Sequence, residues 1–215
     1  DFRQNMWAQG RLFSENLKDK DSILEWLREK NVVYPNRYFK IFIYFWPAVT
    51  IVLAMLALAD AFFVPMALLT IGVQWILTSL YLKRTTRLQL AMGRKKKELE
   101  KFSVLLKLIS QEKFESKTTV DLGRVSRVAS HKLNRLAVLT NSLENRMNAI
   151  ANMFGNSFFL YDLHCIYNLE EWRTQHGQEL PHWIDTIAKM DTLCSLGTFY
   201  FNNPSYTFPE IEKDK

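Results

Sequence analysis

The 215-residue chain predicts an all-α fold. Three observations lead there. Ile41–Leu82 is a nearly continuous apolar block whose one charged residue is Asp60. Outside it, apolar residues recur at spacings of three and four, the helical period. No convincing strand pairs interrupt that period, and glycine is sparse at seven residues. The expected architecture is a bundle of long lever-type helices with an inserted apolar, transmembrane helical hairpin. It divides into an N-terminal core piece (1–40), the hairpin (41–82) and a long-helix region (83–215).

The elements follow in order. Phe2 to about Leu17 reads as a helix through Met6, Trp7, Leu12 and Phe13. Asp19–Asp21 breaks it. Ser22, followed three residues later by Glu25, forms a capping box for a second helix, SILEWLREK. Val32–Asn36, with Pro35, leads into the hairpin. Ile41–Ala59 is 19 residues and Ala61–Leu82 is 22. A spanning helix needs roughly 20 apolar residues. Asp60 falls at the turn, and Pro65 in the first turn of the second helix, where its missing amide has no helical partner anyway. Tyr44, Trp46, Trp75 and Tyr81 lie near the predicted boundaries, with Trp75 the deepest of them. The competing arrangement is a pair of buried helices in a soluble core. A soluble helix rarely stays apolar all round for this length.

From Lys83 the second helix is expected to continue to about Lys113, with Leu99, Phe102, Leu105, Leu106 and Ile109 as its apolar stripe. Phe114–Asp121 reads as a polar connector. Val125, Val128, Ala129, Leu133, Leu136, Leu139, Leu143, Met147, Ile150 and Phe154 then mark one nearly unbroken seam, which predicts a rod packed on a partner helix. Gly155 is the expected weak point, and the pattern resumes through Phe158 to Trp172. Gly177, in His176–Gln178, suits a left-handed helix end. Pro181 opens a last helix that runs through Phe199 and stops at Asn202–Pro204, leaving an irregular tail. The openings and endings of the chain, DFRQNMWAQG and FPEIEKDK, read as cuts in a longer protein.

Net charge is +6 and mean hydropathy −0.13, an average that conceals an oily block in a charged chain. Much of the positive charge flanks the hairpin: Arg28, Lys30, Arg37 and Lys40 before it, Lys83, Arg84 and Arg87 after it, then Arg94, Lys95, Lys96 and Lys97. The positive-inside bias places both ends in the cytoplasm and the turn outside, at the inner membrane. Anionic lipid and nucleic-acid phosphate are the two partners that the Arg94–Lys97 patch suits.

Catalytic signatures are missing. There is no GxxxxGK[ST] phosphate loop, GxGxxG, GxSxG or HExxH. Cys165 and Cys194 lack CxxC spacing and are expected as reduced, buried thiols. His164, beside Cys165 and near Asp162, lacks converging ligands for a metal and is expected to bond within helix packing. No catalytic, cofactor or metal residue is assigned.

Two resemblances bear on function. Ala129-Ser130-His131-Lys132-Leu133 resembles the phospho-accepting histidine box of sensor kinases, whose members also place a membrane hairpin before a dimerising helix. Lys132 stands where that box has an acid, and Asn134-Arg135-Leu136 where it has Arg-Thr-Pro. The stronger likeness is in the tail, Asp191-Thr192-Leu193-Cys194-Ser195-Leu196-Gly197-Thr198-Phe199, followed by Asn202-Asn203-Pro204-Ser205-Tyr206-Thr207-Phe208-Pro209-Glu210-Ile211. It resembles the run that closes the helical core and lever of MutS-family mismatch-repair ATPases. Leu193, Ser195, Leu196, Tyr206, Pro209 and Ile211 fit it, while Thr192 and Cys194 depart. Arg146-Met147-Asn148, Phe158–Asp162, Glu171-Trp172-Arg173 with Trp183, and Glu25-Trp26-Leu27 are similar to other parts of that region. The hairpin then points to a membrane-associated MutS-like branch. The resemblance implies a core and lever piece that relays nucleotide state. Its ATPase domain, with ATP and magnesium, would follow Lys215. Homodimerisation and DNA contact are implied for the whole protein. A membrane-anchored helical scaffold is the third class of function.

Overall fold

In a computed structural model the described residues are 2–12, 26–27, 36–144 and 148–207; at Leu12, Arg94 and Ala149 only the backbone is described. Among them are seven α-helices and one 3-10 turn, and no strand. The helices are α1 (Phe2–Leu12), α2 (Arg37–Ala59), α3 (Val64–Gln111), α4 (Lys117–Glu144), α5 (Ala149–Phe159), α6 (Tyr161–His176) and α7 (Leu180–Asn202). The capping box at Ser22 and Glu25, and Leu17, Arg146, Met147, Pro209 and Ile211, lie outside the described residues.

The hairpin forms as the sequence dictates. Asn36 caps α2, its side chain accepting from the Tyr38 amide. Asp60 ends α2 in extended backbone, and its carboxylate accepts from the Phe62 amide at 2.9 Å to start the turn Ala61–Phe63. Pro65 sits in the first turn of α3. Both helices are long and apolar enough to cross a membrane, and only 17% of each apolar window is covered by the rest of the protein. Among the described residues they are not packed as core helices: Leu58 is 90% exposed, and Val52, Met55, Leu68, Leu69, Ile76 and Leu80 are also exposed.

α3 does not stop where the apolar sequence does. It continues unbroken for 48 residues, about 72 Å at roughly 1.5 Å per residue. Past Gly93 it pairs with α4 into an antiparallel rod. Leu99, Leu105, Leu106 and Ile109 meet Ala129, Leu133, Leu136 and Leu143 in one buried core, which α6 and α7 close with Trp172, Trp183, Ile184 and Ile187. Trp26 is fully buried there and Met6 of α1 nearly so.

Four expectations are corrected. The connector after α3 is shorter than Phe114–Asp121, because Lys117 already begins α4: the Val120 amide bonds the Ser116 carbonyl at 2.9 Å. Its polar residues are a solvated first turn, not a loop. The seam from Val125 to Phe154 is not one helix, since Asn148 is extended and caps a new one, accepting from the Ala151 amide at 3.2 Å. Leu143 stays in the core, whereas Ile150 and Phe154 are exposed. Gly155 is no weak point: it lies inside α5, where an added Cβ would come within 3.1 Å of the Tyr161 Cβ. The break falls instead at Leu160, the one non-glycine residue with positive φ (48°) among those described. Gly177 is right-handed (φ −58°). It is glycine for closeness, since a Cβ there would sit 2.5 Å from the Arg173 carbonyl oxygen.

Candidate functional site: the corner docked on the hairpin

Where α5 meets α6, the chain turns back on itself against the middle of the apolar hairpin. Three polar residues inside the apolar spans explain why. The last four carbonyls of any helix lack partners of their own. Here two of these, on Asn156 and Ser157, point at Gln74 of α3. With the Gln74 amide turned to satisfy both its ends, its nitrogen donates to each carbonyl at 3.0 Å and its oxygen accepts from the Thr50 hydroxyl at 2.6 Å. Gln74 and Thr50 are both fully buried. Beside them the Trp75 indole donates to the Ser157 hydroxyl at 2.9 Å, and that hydroxyl donates to the Met153 carbonyl. The end of α5 is thus capped from within the hairpin.

The corner itself is closed internally. The Leu160 amide donates to the Gly155 carbonyl, and the Leu160 carbonyl accepts from the His164 amide at 3.1 Å. The Asn156 side chain accepts from the Asp162 amide at 2.9 Å, which satisfies a donor at the start of α6. Leu160 and Leu163, both fully buried, pack with Ile43 and Tyr167.

A fourth contact follows from Pro47. It lies inside α2 and has no amide hydrogen, so the carbonyl four residues earlier, on Ile43, loses its helical donor. His164 Nε2 stands 2.9 Å from that oxygen. A carbonyl only accepts, so Nε2 carries the proton. The His164 ring meets Tyr44 edge-on at 4.5 Å, beside an apolar groove of about 320 Å³ along Pro47, Ala48, Ile51, Phe159 and Tyr161. Nearer the start of α2, Lys40 pairs with Glu171 of α6 at 2.9 Å, and Phe39 stacks with Tyr167 at 6.1 Å.

The His164–Ile43 bond yields a prediction. His164→Leu leaves the Ile43 oxygen buried without a donor; in a Pro47→Ala background the restored helical amide supplies one. The double-mutant cycle in detergent unfolding should show a coupling of about 1–2 kcal/mol. Strict additivity would contradict the assignment.

Trp75, Asp162 and His164, singled out in the sequence, belong to this corner, and His164 bonds within helix packing as expected; the other residues singled out sit elsewhere. Arg94–Lys97 lies on α3 where the rod begins. Lys95 is buried, Lys96 pairs with Glu144 of α4 at 2.7 Å, and Lys97 is exposed. The Glu144 bond holds the Lys96 pKa above its ordinary value. Along α3, Arg94 lies about 18 Å past Leu82, the end of the apolar block, at roughly 1.5 Å per residue. Lys83, Arg84 and Arg87 are the cations that directly follow the apolar span. On α7, Leu193, Ser195 and Leu196 are exposed; Tyr206 packs on Phe199 at 5.8 Å. His131 is exposed on α4. Cys165 is buried and Cys194, expected to be so, is only half-buried; neither is in a disulfide.

Gln74, Thr50, Pro47, Asn156 and Ser157 were not singled out from the sequence. A signal existed for two of them: a buried glutamine and threonine inside apolar spans face protein partners rather than lipid. No protein-family model matches this chain, and neither a curated protein nor a solved structure matches it.

Proposed function

We propose that the chain is the core and lever of a membrane-anchored, MutS-like ATPase, relaying conformational state between a nucleotide-driven motor and the bilayer. The observation that carries the relay is α3, a single helix belonging to the apolar hairpin at one end and to the rod at the other. A continuous helix moves as a unit, so displacement of the rod is carried to the hairpin. The docked corner adds a second linkage, because α6 is fixed to both the hairpin and the Trp172–Trp183 core.

The MutS-like character of the motor rests chiefly on the tail residues, Leu193, Ser195, Leu196 and Tyr206 among those described, with softer likeness in Phe158–Asp162 and Glu171-Trp172-Arg173. An exposed apolar face on α7, with Leu193, Leu196, Phe199 and Tyr200, supports the docking of a further domain. ATP and magnesium would belong to that domain. Homodimerisation and DNA contact would be properties of the assembled protein. The hairpin would lie in the inner membrane with both ends cytoplasmic.

Two experiments test this. Ala91→Pro introduces a break in α3 between hairpin and rod, at a cost of about 3 kcal/mol of helix stability. With the gene read past the Lys215 codon, the whole protein should contain a phosphate loop and hydrolyse ATP at a rate that differs between detergent and bilayer. Ala91→Pro should abolish that difference while hydrolysis continues. A continuation without a phosphate loop removes the motor; a variant with unaltered lipid response removes the relay. For DNA, duplex binding by the purified chain should weaken steeply with salt if Lys97 and its neighbours touch phosphate. No gel shift even at low salt takes this region out of DNA contact.

A further inference from the structure

The exposed face of α5 has no explanation in an aqueous setting. None of its eleven residues, AIANMFGNSFF, is charged. Ile150, Met153 and Phe154 lie together on one side and are all exposed, Ile150 at 70%. Yet the far end of this helix is bonded to Gln74 and, through it, to Thr50. Each of those residues lies ten positions from an end of the turn, Thr50 from Asp60 and Gln74 from Val64. At roughly 1.5 Å per residue both arms put the contact about 15 Å from the turn, half the thickness of a hydrocarbon core of about 30 Å.

We propose that α5 and the Leu160 corner form a re-entrant element, which enters the bilayer beside the hairpin and turns back at its midplane, so that hydrocarbon covers the exposed face of α5. The inference rests on the hairpin spanning a membrane. Its own support is the uncharged, exposed face of α5, beside a corner whose hydrogen bonding permits that depth. Irregular backbone survives at membrane depth only where protein satisfies every polar group. Here the Leu160 amide and carbonyl, the Asn156 and Ser157 carbonyls and the Asp162 amide all have protein partners, and Leu160 is fully buried. Any buried backbone is bonded in this way, so the corner is fit for membrane depth, and it is the uncharged, exposed face of α5 that calls for hydrocarbon. The apolar face of α5 is also continuous with that of the hairpin: Trp75, bonded to Ser157, is half exposed between them. The corner returns to the aqueous side through α6, whose Tyr167 and Glu171 meet Phe39 and Lys40 at the start of α2.

Nitroxide accessibility in phosphatidylcholine–phosphatidylglycerol vesicles tests this. Single cysteines replace Phe154, Ile150, Leu69 or Val128 in a Cys165→Ala, Cys194→Ala background. Leu69 reports the hairpin surface and Val128 the aqueous rod. Phe154→Cys should match Leu69→Cys, with an oxygen-to-nickel accessibility ratio roughly tenfold above Val128→Cys, because a polar nickel chelate is excluded from hydrocarbon. Ile150→Cys should give the same answer if Phe154→Cys perturbs folding. A lipid-like Leu69→Cys with water-like Phe154→Cys and Ile150→Cys overturns the re-entrant element and leaves the hairpin standing. Water-like values at all four sites overturn both. Shielding of α5 from both reagents, with dipolar broadening between labels, overturns it in favour of a second copy.

Discussion

Replacing Arg173 with alanine is expected to destabilise the protein by about 3–5 kcal/mol, the cost of leaving a buried charge alone. Arg173 and Glu170, three residues apart on α6, pair with side-chain exposures of 4% and 0%. The guanidinium also donates to the Trp26 carbonyl at 3.1 Å and lies over the Trp26 ring at 5.3 Å. Removing it strands the Glu170 carboxylate in the core and releases Trp26 together. For a chain of this size the shift corresponds to roughly 10 °C in melting temperature. The pair itself is not the source of stability, because desolvation offsets most of its attraction. The double variant Glu170→Gln, Arg173→Met should therefore recover much of the loss. Thermal unfolding in detergent measures both. A loss below about 1 kcal/mol for Arg173→Ala would mean that Glu170 reaches water and that the core is open at this point.

The second large effect belongs to Gln74→Leu. Leucine keeps much of the volume and removes all four hydrogen-bonding sites. The Asn156 and Ser157 carbonyls then lose their donors, at about 1–3 kcal/mol each when buried. Thr50 suffers less, because its hydroxyl can return to the Trp46 carbonyl, 3.2 Å away. The expected result is local: α5 lifts from the hairpin, and its amides exchange hydrogen faster by roughly two orders of magnitude, the equivalent of about 3 kcal/mol. α2, α3 and membrane insertion should be unaffected. Protection of α5 equal to that of the unaltered protein would show that the amide is not its cap.

These two sites also show where sequence reading reached and where it failed. The hairpin was legible because charge is absent from its spans and present at its ends, and because Asp60 and Pro65 have local roles. The stripe from Leu99 to Ile109 was legible because its period matches the helix. The break at Leu160 was not. Asn148 and Leu160 interrupt a run whose apolar spacing stays helical, so periodicity alone carries α4 into α5 and α5 into α6. The break at Asn148 is a local cap on the Ala151 amide, whereas the one at Leu160 is decided by tertiary contact, with Gln74 capping the end of α5. Gly177 misled for the opposite reason, since its composition signals a left-handed turn while the structure uses it for a close approach. The corner was illegible because its members lie in three distant stretches, at Thr50, Gln74 and Asn156–His164. The basic run Arg94–Lys97 showed its charge but not its partner, Glu144, which is 48 residues away from Lys96.

The central claim is that the hairpin crosses a bilayer and returns both ends of the chain to one side. It is tested most directly by labelling sealed vesicles of known orientation with a membrane-impermeant thiol reagent, using Asp60→Cys and Lys107→Cys variants of the cysteine-free protein. Asp60→Cys should react from one face only and Lys107→Cys from the other only, with Met55→Cys unreactive until detergent is added. Reaction of Asp60→Cys and Lys107→Cys from the same face, or release of the protein from the vesicles by alkaline carbonate, would contradict it.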